Sequence, residues 1–104
     1  MHNIGLDGDT AAIKRADQWL KDHLSRYVAW AGKHNSLLIF TFDEDQGSDM
    51  VHNHIPTFFV GSMVRPGQYE DTINHYSVLR TLEAIYHLSP SGDAKAKVIT
   101  DIWK

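Results

Sequence analysis

Residues 37–42, LLIFTF, are apolar except for Thr41 and lack the two-residue alternation of a strand with one wet face. Such a run suits a strand buried on both sides, the kind found in parallel sheets covered by helices. It ends in an unusual way: Asp43, Glu44 and Asp45 follow at once, with Asp49, His52 and His54 close behind. Both the buried strand and the polar chemistry at its end constrain what this chain is.

The rest of the chain supplies the layers. Residues 1–9 are polar and glycine-containing and read as a loop, with Asp9 or Thr10 placed to cap a helix. Ile13, Ala16, Leu20, Leu24, Tyr27, Val28 and Ala31 recur at spacings of three and four, one face of a long amphipathic helix that Gly32 ends. A second strand, about 57–60, follows the acidic loop and stops at Gly61. The segment 62–72, with Pro66-Gly67, reads as a loop. Asn74 then caps a second helix with Val78, Leu82, Ile85 and Tyr86 as its core face. The tail carries Val98, Ile99, Ile102 and Trp103, expected to pack as a short helix or an extended arm.

Helix, strand, strand, helix around a doubly buried strand is an α/β layered fold, expected as a single domain over residues 1–104. Two strands are few for such a sheet, which averages about five or six. Either a partner supplies further strands or the chain is part of something larger. A homo-oligomer covering an exposed sheet edge is one such partner.

Composition narrows the function classes. With 42% hydrophobic and 22% charged residues, the 104-residue chain is ordinary for a soluble globular domain. The net charge of -3 and the scattered basic residues argue against nucleic acid as a partner. No segment approaches the roughly 18 apolar residues of a membrane span. The first residues, MHNIGLDGDT, do not read as a signal peptide, so localisation is not fixed. Cysteine is absent, which excludes disulfides and thiolate metal sites without fixing the compartment. Seven histidines are many for this length, and histidine is the commonest metal ligand.

In open α/β sheets ligands bind beyond the carboxyl ends of the strands, where Asp43 and Glu44 lie. Neighbouring residues leaving a strand point in different directions, so two carboxylates can reach two metals, or one metal and a supporting donor. Oxygen ligands suit Mg, Mn or Ca, and nearby histidines add Zn and Fe. His52 and His54 alternate just before the second strand and face back toward the acids. The competing readings are a solvated acidic loop and a calcium loop. The calcium pattern fails because Gly47 stands where the third acid belongs and no glutamate follows at position twelve. His75 opens the second helix, where a neutral imidazole or a bound anion is favoured. His23, His34 and His87 read as helix-surface or turn residues.

Four blocks in order then carry a resemblance: ADQWLKDHL, YVAWAGKHNSLLIFTFDED, NHIPTFFVGSMVRPGQY and INHYSVLRTLEAIYHL. Together they resemble the bacterial phosphoesterase family, which holds acid phosphatases and phospholipase C-like enzymes and is related to the alkaline phosphatase superfamily. The resemblance implies a partial three-layer α/β/α sandwich of alkaline phosphatase-like type with a mostly parallel sheet. It also implies metal-assisted hydrolysis of a phosphate ester, either a small molecule or a phospholipid headgroup, and a secreted or periplasmic setting.

By position, Asp43 and Glu44 match the family's metal-binding acidic pair, which is Asp-His in related members. His54 matches a later histidine used for metal or phosphate, with His52 as the fallback. His2 matches the histidine of a block that usually reads Asp-Met-His, and His75 matches a recurrent position of less certain role. The metal is a divalent ion of unspecified identity. Family members are several times longer, and their Ser or Thr nucleophile lies in an N-terminal half. No Ser or Thr here sits in such a block, Thr41 and Ser48 being merely nearby. The expectation is therefore the C-terminal part of a phosphoesterase, weakly active or inactive alone. The alternative is a non-catalytic folded fragment that binds metal or self-associates.

Overall fold

The computed structural model describes residues 10–45, 53–92 and 95–104, and the chain divides into two compact units, Met1–Met63 and Val64–Lys104. The calls on His2 and His52 lie outside the described residues, as do those on Asp9, Gly47, Ser48 and Asp49.

In the first unit, the helix expected from the three-and-four periodicity is α1, Thr10–Ala31. It ends at Gly32, whose N–H still donates to the Val28 carbonyl at 3.1 Å. Two imidazoles fold back along it. His23 stacks on Trp19 at 4.1 Å and donates from Nδ1 to the Trp19 carbonyl at 2.8 Å. His34 repeats the arrangement on Trp30, at 4.3 Å and 2.7 Å. Both histidines are thus used locally, as their positions suggested.

The apolar run becomes β1, Leu38–Thr41, and TFFV becomes β2, Thr57–Val60. The two pair antiparallel, with Leu38 opposite Val60, Ile39 opposite Phe59, Phe40 opposite Phe58 and Thr41 opposite Thr57. This differs from the parallel pairing that the run suggested, and every residue of β1 is only half-buried. Apolar side chains on both faces of a strand do not dictate the direction of its neighbour. One face is aromatic: Phe40 meets Phe58 across the pair at 6.2 Å and Phe42 edge-on at 5.3 Å. Gly61 ends β2 where a Cβ would lie 2.5 Å from the Ser36 carbonyl oxygen, a contact only glycine escapes.

The expected core face of α1 is only partly covered. Ala31 and Ala12 are buried, but Ile13 is 62% exposed, and Tyr27 and Val28 are exposed as well. The reason is dimensional. A 22-residue helix is about 33 Å long, whereas a four-residue strand spans only about 13 Å. Among the described residues of this unit, most of the helix has no layer of matching length.

The second unit is built on α2, His75–Ile85. Asn74 caps it as expected: its side chain accepts from the Ser77 N–H at 3.1 Å while Ser77 Oγ accepts from the Asn74 N–H at 3.2 Å, a reciprocal capping box. The helix ends in a Schellman motif, with the His87 N–H on the Ala84 carbonyl and the Leu88 N–H on the Glu83 carbonyl. His87 occupies the left-handed position, φ 54°, where glycine is usual.

The core face expected of α2 is only partly covered: Val78 and Leu82 are half-buried. Ser77, Thr81 and Glu83 are buried, while Ile85 and Tyr86 are exposed. Thr81 explains the exchange. Its hydroxyl donates to the Ser77 carbonyl at 2.7 Å and accepts from the Ile99 N–H at 2.9 Å, so a polar side chain is fully satisfied inside. The tail takes the extended form: Ile99 and Ile102 are buried, and Trp103 bridges to Val64. Trp103 Nε1 donates to the Ile99 carbonyl at 2.8 Å, and Arg65 N–H to the Ile102 carbonyl at 2.8 Å.

Candidate active site

The antiparallel pairing turns the acidic loop into the far end of a hairpin. The ladder ends with Thr41 opposite Thr57, and beyond it two hydrogen bonds still link the arms. The Asp45 N–H donates to Asn53 Oδ1 at 2.6 Å, and the His54 N–H donates to Asp45 Oδ2 at 3.2 Å. Side chains here do the closing that backbone groups do within the ladder.

Faces follow from the same register. Within the ladder, residues two apart share a face, so Phe40 and Phe58 lie on one side and Ile39 and Phe59 on the other. Asp43 Oδ1 also accepts from the Glu44 N–H at 3.0 Å, which orients that carboxylate. Asp43, Glu44 and His54 are all exposed, whereas Asp45 is half-buried. Among the described residues no group of three His, Asp or Glu side chains is gathered tightly enough to hold a metal. The hairpin brings the candidates to one end without closing a coordination sphere around them.

His75 is exposed and belongs to the second unit, as the first residue of α2 beside the Asn74 cap. Asn53 is the residue that sequence reasoning passed over. Its only signal is its place just before β2, which the antiparallel pairing brings to the arm that bonds Asp45.

The class is given by the sequence as a whole. The phosphoesterase family model matches residues 6–89, and the chain belongs to the phosphoesterase family. Among curated proteins it is similar to a phosphatidylinositol-3-phosphatase of Mycobacterium tuberculosis, at 52% identity over 102 residues and 97% of this chain. The chain spans 33% of that relative's length. No solved structure matches. No helix among the described residues is long and apolar enough to cross a membrane.

Proposed function

We propose that these residues carry one side of a phosphate-ester hydrolase site, with Asp43, Glu44 and His54 as the protein ligands of a divalent cation. The observation that supports this most directly is the link across the hairpin end, where Asp45, next to Glu44, accepts from the His54 N–H at 3.2 Å. Two carboxylates and an imidazole are a donor set that Mn, Zn or Fe accepts, and the carboxylates alone suit Mg or Ca. When bound, such an ion polarises a phosphoryl oxygen and stabilises the charge that develops on it.

The chain's own contribution is to present the ligands. Asp43 and Glu44 follow β1 as adjacent exposed carboxylates. His54 returns from the other arm of the hairpin. His2, His52 and His75 are further candidates for metal or phosphate. The attacking hydroxyl is proposed to lie outside these residues, which fits a chain spanning 33% of a phosphatase-named relative. In the complete enzyme residues 1–104 form part of one catalytic domain. There β1 and β2 join the mostly parallel sheet of an α/β/α sandwich, and its other layers cover α1. Acid phosphatase and phospholipase C-like chemistry both remain within this reading, and the relative's name adds a phosphoinositide headgroup as a substrate.

Elemental analysis and calorimetric titration with Mn²⁺ and Zn²⁺ test the ligand set. The wild-type chain binds, and Asp43→Asn and Glu44→Gln each weaken binding about 10-fold or more. No metal above background in the purified chain, with no heat on titration, overturns it. Hydrolysis of p-nitrophenyl phosphate, with Asp43→Asn as control, then measures what activity the isolated chain has.

A second reading, a non-catalytic module that self-associates, draws on the exposed Ile13, Trp30 and Phe58. Light scattering on the purified chain distinguishes it, because a clean monomer removes its support.

A further inference from the structure

Residues 15–25 and 26–36 carry one pattern twice, back to back: RADQWLKDHLS and RYVAWAGKHNS, with Arg, Trp, His and Ser at matching places. Eleven residues are about three helical turns, so Trp30 returns to the face of Trp19, about 16 Å along α1. The two copies share their geometry as well. His23 lies on Trp19 with ring planes 12° apart, and His34 lies on Trp30 with planes 15° apart. Each Nδ1 bonds the carbonyl of its own tryptophan, at 2.8 Å and 2.7 Å. Stack and bond together fix each indole in advance, which lowers the ordering cost of docking. Arg15, Arg26, His23, His34 and Trp30 are exposed, and Trp19 is half-buried.

We propose that this repeated Arg–Trp–His face of α1 docks the chain onto an anionic phospholipid surface. Charge favours that partner. At about 100° per residue, Arg15, Trp19, His23, Arg26 and Trp30 fall within a sector about 80° wide. Neither acid of α1 lies in it: Asp17 is on the far side, and Asp22, at the edge, accepts from Gln18 Nε2 at 2.7 Å. Indoles flanked by cations on one helical face suit the headgroup layer, where the ring body is shallowly buried and the charges meet lipid phosphates. A nucleic acid fits less well, because an imidazole already covers one face of each indole that a base would stack on. An acidic peptide would engage the arginines and leave the indoles wet. The apolar stripe of Leu20, Leu24 and Ala31 lies about a quarter turn away, so the layers proposed above to cover α1 need not cover this face. The phosphate-ester reading enters only as the purpose, bringing a site to a lipid substrate.

The test is flotation of the 104-residue chain with vesicles of phosphatidylcholine alone and of phosphatidylcholine mixed with phosphatidylserine, without added metal. The wild type binds the mixed vesicles about 10-fold or more tightly than the neutral ones. Arg15→Glu with Arg26→Glu weakens that binding about 30-fold or more, and Trp30→Ala weakens it about 10-fold. Lys14→Glu with Lys21→Glu makes the same charge change on the opposite side of α1 and stays within about 3-fold of wild type. Circular dichroism checks that each variant keeps its helix, and Arg15→Gln with Arg26→Gln is the milder pair if reversal lowers it. No flotation with mixed vesicles overturns the proposal, as does equal binding to both vesicle types. Equal loss in the two reversed pairs reduces the effect to net charge and overturns the face. A single-stranded oligonucleotide or an acidic peptide bound in place of vesicles overturns the lipid partner. Face-specific flotation in a chain that neither binds metal nor hydrolyses p-nitrophenyl phosphate upholds the surface and sinks the phosphate-ester site. The reverse pair of results sinks the surface alone.

Discussion

The hydroxyls of Thr41 and Thr57 meet at 2.9 Å across the last rung of the β1–β2 ladder. Both side chains are half-buried, so this cross-strand bond closes the regular part of the hairpin immediately before the acidic segment leaves it.

Removing one hydroxyl strands the other. Thr41→Val is expected to cost about 1 kcal/mol, because the Thr57 hydroxyl loses its partner while remaining partly desolvated. The double variant Thr41→Val, Thr57→Val recovers most of that loss, to within about 0.5 kcal/mol of wild type, since the two apolar groups replace the bond together. Urea midpoints of the four proteins in the cycle give the coupling, and a double variant as unstable as the sum of the singles refutes it.

Thr81 is the second unit's most sensitive position. Thr81→Val leaves the buried Ile99 N–H without its acceptor and is expected to destabilise the unit by about 1–3 kcal/mol. Thr81→Ser keeps the oxygen and loses far less. Amide exchange at Ile99 should accelerate in the valine variant only.

His87 offers a gain. A side chain in the left-handed region costs about 1–2 kcal/mol, and glycine there costs little. His87→Gly should therefore raise stability by about 1 kcal/mol while keeping the two terminal hydrogen bonds, whereas His87→Ala gives no such gain. Thermal unfolding of the two variants separates the outcomes.

Glu83 sets an acid limit. Hydrogen bonds from Ser91, then Arg80, hold its carboxyl below the ordinary glutamate range. A carboxylate lowered by folding stabilises the fold above its unfolded pKa, and that contribution disappears as pH falls through the folded value. Urea midpoints should thus drop between about pH 5 and 3 in the wild type. They should drop less steeply in Glu83→Gln, which has no such proton to take up. Equal slopes in the two proteins would count against this account.

Much of the secondary structure was legible in the residues. The helix periodicity, Asn74 as a cap, Gly32 as a stop and the TFFV strand all reflect local chemistry that needs no tertiary information. The direction of pairing was not legible. LLIFTF has apolar residues on both faces whichever way its neighbour runs, and the intervening segment 42–56 is too long to announce a tight hairpin. The face of α2 was legible only in part, with Val78 and Leu82 half-buried and Ile85 and Tyr86 exposed, for another reason. Periodicity counts Thr81 as polar, but its hydroxyl joins two backbone groups and so belongs inside. For the candidate site, Asp43, Glu44 and His54 stood out by residue type, while Asn53 became visible only through its bond to Asp45. The 62% exposure of Ile13 shows a further limit, because an apolar stripe predicts that something covers it and not what.

The register of the hairpin also imposes a parity on its evolution. Side chains alternate faces along the ladder, so inserting one residue within β1 or β2 moves one member of the Phe40–Phe58 pair to the opposite side. Inserting two restores the side and merely lengthens the strand. Natural or engineered length changes in these short strands should therefore be tolerated in even steps.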